Sequence, residues 1–129
     1  MNIQKVDGQL TFRDLDGNMA LPTPGSMLEN WYISVRDIKI SELDVANLAR
    51  ACRQNVYVDH VVPFCLNELK KNSQAGFLYA GELVQALRCV RRPYWSNHPN
   101  EKATFLTLVK HGYEETGNVY LKVAEADIH

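Results

Sequence analysis

Apolar residues recur along most of this chain at the three- and four-residue spacing of an amphipathic helix. In the first such stretch, the residues at i, i+3, i+4 and i+7 are Leu28, Trp31, Tyr32 and Val35. Ser26, with Glu29 three positions later, forms the capping-box pattern at its start. The spacing therefore predicts a helix that begins after Ser26. Its two aromatic residues could form a ligand-stacking platform, but this spacing favours a place in the core.

Four further stretches with the same periodicity predict helices from Ser41 to Asn55, from Asp59 to Lys71, from Ala80 to Arg91 and from Glu101 to Gly112. With Asp59 as the cap, Pro63 would lie in the first turn, where proline is tolerated. Pro93 is expected to end the helix before it, which leaves residues 94–100 as a connector. The segment from Asn118 onward fits a strand or a helix. Because every clearly periodic element before it is predicted to be helical, we favour the helix.

Residues 1–20 have a different pattern. Short β-favouring runs flank Asp7-Gly8, and Asp16-Gly17 follows the second run, which is a hairpin signal. This segment could be a binding arm or a loosely held extension, and the extension is favoured. Prolines and a glycine follow. The sequence thus predicts an N-terminal extension at residues 1–25 and an all-α domain at residues 26–129, a compact bundle of five to six short amphipathic helices.

Composition places the chain among ordinary globular proteins. It has 129 residues, of which 46% are hydrophobic and 22% charged, and a formal net charge of −1. Such a balance attracts neither nucleic acid nor an anionic membrane over long distances. Three widely spaced cysteines, Cys52, Cys65 and Cys89, are predicted to be reduced core residues. No signal peptide or membrane span is expected, so we predict a cytoplasmic location.

Residues with catalytic or metal-binding chemistry do not form a recognisable site. His60 and Cys65 are five positions apart, which is not the spacing of two ligands on one helix face. Glu114 and Glu115 are adjacent in a helical stretch and therefore point in different directions. We expect no enzymatic activity, no metal and no cofactor.

Basic residues offer two other hypotheses. Arg50 and Arg53 lie three positions apart on the flank of a predicted helix, where they could belong to a catalytic site, contact nucleic acid or connect two helices. A second group combines phosphate-seeking charge with aromatic rings that can stack on bases: Arg88, Arg91, Arg92, Tyr94 and Trp95. A small helical nucleic-acid-binding regulator is therefore the alternative function, although arginines also favour helix C-termini for electrostatic reasons.

Several segments, in a consistent order over residues 27–90, resemble bacterial contact-dependent growth inhibition (CDI) immunity proteins. These segments are Leu28-Glu29-Asn30-Trp31-Tyr32, Leu48-Ala49-Arg50-Ala51-Cys52-Arg53-Gln54-Asn55, Val61-Val62-Pro63, Ala75-Gly76 and Tyr79-Ala80-Gly81-Glu82-Leu83. The resemblance implies a non-catalytic helical protein of the cytoplasm. It would bind the C-terminal toxin domain of a delivered effector, often a nuclease, and block its active site.

The resemblance also implies partners and sites. The partner would be the cognate toxin domain, a basic nuclease, in a 1:1 heterodimer, with no membrane and no direct nucleic acid. Because acidic and aromatic residues suit such a contact, the predicted toxin-binding residues are Asp59, Glu68, Tyr79, Glu114 and Glu115. A structural tie is predicted between helices, in which arginines bind a carboxylate: Arg50, Arg53, Gln54 and Glu82.

Overall fold

The structure, a computed structural model, describes residues 7–20 and 23–128. Every regular element within these residues is helical, which confirms the predicted all-α class. In chain order the α-helices are α1 (Phe12–Leu15), α2 (Met27–Val35), α3 (Val45–Arg53), α4 (Val58–Lys71), α5 (Glu82–Leu87), α6 (Arg92–Asn97), α7 (Pro99–Thr116) and α8 (Val119–Ile128). Two short 3-10 segments, Asp7–Gln9 and Ile40–Glu42, complete the described elements.

The chain divides into two compact units, residues 1–43 and residues 44–129. The domain boundary at residues 25 and 26 stays a prediction. In the second unit, α3 packs on α4 and α5, while α8 packs on α7 and α5. Fully buried side chains from these helices include Leu48, Leu83, Leu87, Phe105 and Leu121.

The predicted N-terminal hairpin is wrong for the part of it that the structure describes. Residues 1–6 lie outside the described residues, and within residues 7–20 the regular elements are the 3-10 helix Asp7–Gln9 and the helix α1, with no strand. Thr11 Oγ1 accepts a hydrogen bond from Asp14 N at 3.2 Å, and an Asp14 carboxylate oxygen accepts from Thr11 N at 2.9 Å. This capping box starts α1 where the second strand was predicted. Phe12 is thereby buried against Tyr32, with their ring centroids 5.7 Å apart.

Two prolines lie at different places in the helices from those predicted. The residue that caps α4 is Tyr57, in the left-handed conformation with φ 46°, so Asp59 is not the cap and Pro63 falls inside the helix. The missing hydrogen bond is tolerated because the helix buries an apolar face on both sides of the proline. Pro93 lies in the first turn of α6, where its fixed φ suits a helix start. The predicted connector is therefore mostly helical.

Gly112 does not end its helix. It lies buried within α7, which continues to Thr116. A Cβ built on Gly112 would lie 2.5 Å from Leu121 Cδ2 and 2.6 Å from Ser73 Cβ. The glycine is therefore required because α8 and the loop after α4 approach α7 closely at this point. The preference for a helix from Asn118 onward is confirmed by α8.

The cysteines differ in environment. Cys52 and Cys65 are buried as predicted, with their Sγ atoms 3.5 Å apart and the thiols free. Burial raises the pKa of the Cys65 thiol well above its ordinary value. Cys89 is exposed, so its predicted place in the core is wrong. Among residues 7–20 and 23–128, no helix combines the length and the apolar character that crossing a bilayer would require.

Candidate functional site

The five residues predicted to contact a toxin lie on three elements of the second unit. Asp59 and Glu68 belong to α4, Tyr79 lies in the loop between α4 and α5, and Glu114 and Glu115 belong to the last turns of α7. No hydrogen bond, ion pair or ring contact within the described residues joins any two of them. Their role in binding stays a prediction.

The residues of the predicted tie lie at the end of α3 and the start of α5. Arg53 Nη1 is 3.5 Å from Glu82 Oε2, with the arginine side chain 40% exposed and the glutamate side chain 3% exposed. Gln54 is exposed at the C-terminal cap of α3, and Arg50 is half-buried on the same helix. The carboxylate, rather than the guanidinium, is the buried member of this pair.

Glu82 does more than face Arg53. Its Oε1 atom accepts hydrogen bonds from the backbone amides of Phe77, at 2.7 Å, and Leu78, at 3.0 Å. A buried carboxylate is costly unless such donors surround it, and bonds to a charged acceptor are stronger than bonds between neutral groups. Glu82 is therefore the anchor of the loop that precedes α5, and it holds this loop through its backbone.

Glycines fix the shape of the same loop. Gly81 has φ 93°, in the left-handed region that favours glycine, and its amide donates to the carbonyl of Gln74 at 2.9 Å. A Cβ on Gly76 would collide with the carbonyl oxygen of Tyr79. The loop thus folds back on itself within a few residues, and both of its glycines are structurally required.

The loop is also attached to the start of α8. Asn118 Nδ2 donates to the carbonyl of Ala80 and to Oε1 of Gln74, both at 3.1 Å. The rings of Tyr79 and Tyr120 lie with their centroids 5.1 Å apart. The loop and the first turn of α8 therefore form one continuous surface.

This surface exposes apolar side chains. Phe77 is 74% exposed and Leu78 is 73% exposed, and four neighbours on the loop and on α8 are also exposed. We call the six residues the loop–α8 patch: Phe77, Leu78, Tyr79, Val119, Tyr120 and Val123. An exposed apolar cluster that the backbone holds in place is typical of a protein-binding surface.

Five residues of the patch were not among the predicted site residues. Apolar residues in a predicted loop, as in Phe77-Leu78-Tyr79, carry a signal, because they fit no core-facing helical stripe. The contribution of α8 had no such signal. Val119 and Val123 fit a strand pattern, and Tyr120 and Val123 fit a helical one, but sequence spacing does not show which face of a terminal helix is covered.

Three members of the second basic group, Arg88, Arg92 and Trp95, line a cavity of about 590 Å³, whereas Arg91 and Tyr94 do not. Its charged lining residues are Arg88, Arg92, Lys102 and Asp127. Arg88 is already neutralised, because its Nε donates to Asp127 Oδ2 at 2.7 Å. Arg92 and Lys102 make no ion pair with any described residue. Within the same described residues, no three side chains of His, Cys, Asp or Glu cluster as potential metal ligands.

Comparison with known proteins identifies the family. A family model described as CDI immunity proteins matches residues 17–105, which is more than half of the chain and includes the loop before α5 and its anchor Glu82. No match was found among curated proteins. The family match extends on both sides of the segment that carried the resemblance in the sequence. The chain therefore belongs to the family of CDI immunity proteins.

Proposed function

We propose that this protein binds the C-terminal toxin domain of a CDI effector, blocks the toxin's active site and so protects the cell that produces both. The family match is the observation that carries this proposal. The toxin is proposed to be a nuclease, and the complex a 1:1 heterodimer in the cytoplasm, where a delivered toxin would act. The protein works by binding and performs no catalysis of its own.

The structure supports a binding role through the loop–α8 patch. An inhibitor that occludes an active site needs a surface whose shape is set before the encounter, because ordering a loop on binding reduces affinity. The carboxylate of Glu82 and the glycines at positions 76 and 81 provide such a surface.

Co-expression with the toxin domain encoded immediately upstream tests the proposal. We expect cells that make both proteins to grow, and the two chains to elute together at the mass of a 1:1 complex. With purified components, nuclease activity should fall linearly with added immunity protein and vanish at one equivalent. If growth still stops and no complex elutes, the proposal is wrong. If a complex forms but the toxin degrades neither RNA nor DNA, only the nuclease assignment fails.

A second candidate function is nucleic-acid binding, which the cavity beside Arg92 and Lys102 favours, since both cations lack an ion-pair partner among the described residues. It predicts that the protein retards labelled RNA or DNA at low salt and that the affinity falls steeply with salt. An Arg92→Ala/Lys102→Ala variant should then bind more weakly. Failure of the wild-type protein to retard any probe at low salt removes this candidate.

A further inference from the structure

We infer that the loop–α8 patch is the surface that contacts the toxin, and that it inserts Phe77 and Leu78 into an apolar recess of the toxin rather than laying acidic residues on a basic groove. This inference rests on the proposed function, and it assigns the contact to residues different from most of those predicted from sequence.

The exposed apolar area is the first support. Six exposed residues of this size present on the order of 500 Å² of apolar surface, within the roughly 300–600 Å² of the largest patch on a typical monomer, which is often a functional surface. A standard interface buries about 800 Å² on each partner. The patch with its polar rim therefore supplies the area that a specific complex needs.

Order within the patch is the second support. Phe77 and Leu78 contribute little to the core, because about three quarters of each side chain faces solvent. Their backbone amides are nevertheless held by the buried carboxylate of Glu82. Burying a charge is unfavourable, and here the buried charge positions two exposed apolar residues. This arrangement supports a role for both residues in contact with a binding partner. Aromatic and aliphatic anchors of this kind carry most of the energy in protein interfaces.

Charged residues at the edge of the loop–α8 patch indicate which partner chemistry fits it. A cavity of about 410 Å³ beside Tyr79 is lined by Arg53, Arg88 and Asp127. Arg88 pairs with Asp127, and Arg53 faces Glu82, so each cation at this rim has a carboxylate beside it. A balanced rim offers no net charge that selects a basic groove, whereas the apolar centre selects an apolar recess.

A second copy of this chain is the competing occupant. An isologous dimer would have to bury Phe77 and Leu78 of each copy against the same patch of the other copy, and both residues are about three quarters exposed on a loop rather than part of a recess. The toxin is the partner that family membership implies, and enzyme active sites are generally concave, as a recess for these two side chains requires. We therefore assign the patch to the toxin.

The test compares two double variants with matched exposure. Phe77→Ala/Leu78→Ala removes the proposed anchors, and Met19→Ala/Met27→Ala removes side chains that are 68% and 77% exposed in the first unit. Affinity for the cognate toxin domain is measured by titration calorimetry, and the mass of each free protein by light scattering. We expect the anchor variant to lose at least about 100-fold in affinity, since two anchors each contribute about tenfold or more, and the control to stay within about threefold. Both variants should melt like the wild type, and the free protein should be a monomer.

The outcomes separate the inference from the proposed function. If wild-type protein binds the toxin but the anchor variant binds within about threefold of it, the patch is not the interface, and the proposed function stands. If the free protein is a dimer that the anchor variant dissociates, the occupant is a second copy, and the inference is overturned. If wild-type protein does not bind the toxin at all, the proposed function fails first. Hydrogen exchange gives an independent readout, because toxin should slow the exchange of amides in residues 76–80 and 118–123.

Discussion

Asp16 and Arg36 form the most buried ion pair described in the first unit. The Arg36 side chain is 1% exposed, and its Nε and Nη2 atoms lie 2.8 Å and 3.0 Å from the two carboxylate oxygens of Asp16. The Tyr32 hydroxyl donates to the same carboxylate at 2.7 Å. The hydrogen bonds from Arg36 hold the pKa of the Asp16 carboxyl well below its ordinary value, and Tyr32 lowers it further.

A lowered carboxyl pKa predicts the pH range in which this pair stabilises the fold. The contribution is complete above the unfolded pKa of about 4 and is lost as the pH falls through that value toward the folded pKa. Asp16→Asn should therefore destabilise the protein at neutral pH, and its deficit relative to wild type should shrink below about pH 4. Urea unfolding followed by Trp31 fluorescence, in a Trp95→Phe background, measures this deficit. A deficit that stays constant down to about pH 2 would contradict the assignment, and the exposed Glu115→Gln change serves as control.

Gly112 gives a prediction about packing. Alanine usually stabilises a helix by about 1 kcal/mol relative to glycine. At this position the new Cβ meets Ser73 Cβ at 2.6 Å, a contact close to the backbone that a rotamer change cannot relieve. Overpacking of a core costs about 1–3 kcal/mol and the helix preference offsets about 1 kcal/mol of it, so we expect Gly112→Ala to lower the free energy of unfolding by up to about 2 kcal/mol. Gly25→Ala, whose nearest neighbour would lie at 3.8 Å, should change it little, and equal melting of all three proteins would show that α7 can shift.

Among the elements, the loop before α5 depends on one carboxylate. Glu82→Ala removes a charged acceptor from two amides and leaves the loop unanchored, so we expect a loss of about 3 kcal/mol in stability. Arg53→Ala removes only a partly exposed partner at 3.5 Å, which should cost less than about 1 kcal/mol. Denaturant unfolding measures both changes, and hydrogen exchange of the Phe77 and Leu78 amides should accelerate only in Glu82→Ala.

A matched glutamate provides the control for this prediction. Glu68 pairs with Lys71 at 3.4 Å on the surface of α4, so Glu68→Ala should cost less than about 1 kcal/mol. If Arg53→Ala proved as damaging as Glu82→Ala, the ion pair between helices would be the important contact, as the predicted tie has it. If only Glu82→Ala were damaging, the important contacts would be the hydrogen bonds from the loop amides to the Glu82 carboxylate.

Helical periodicity was sufficient to predict the class of the fold, because each helix buries one stripe of apolar residues. Periodicity did not predict the role of residues that depends on neighbours distant in the sequence. Gly112 is indistinguishable in sequence from a helix terminator, and Pro93 can end one helix or begin the next. The role of Glu82 in the candidate site could not be predicted for the same reason. Glu82 was found as a charge for Arg53, but nothing in the sequence shows that a side chain will turn back to bind the amides of its own preceding loop.

For the whole molecule, charge sets the expected kinetics of toxin binding. Fourteen basic and fifteen acidic residues leave a net charge of −1. A molecule with so little net charge steers a partner only weakly, so association should proceed at an unsteered rate of about 10⁵–10⁶ M⁻¹s⁻¹. Between about 0.05 and 0.5 M NaCl, we expect the association rate constant with the cognate toxin to change less than about fivefold. Stopped-flow mixing measures this rate.

A toxin contact through the acidic residues predicted from sequence would give a different salt dependence of the association rate constant. If Glu114 and Glu115 steered a basic toxin, the rate constant would fall more than tenfold over this salt range, and Glu114→Gln/Glu115→Gln would lower it at low salt. With an apolar contact at the loop–α8 patch, the same double variant should associate within about twofold of wild type at every salt concentration, while Phe77→Ala/Leu78→Ala should raise the dissociation rate. Most changes in affinity at one interface appear in dissociation, so the two variants separate steering by charge from anchoring by apolar side chains.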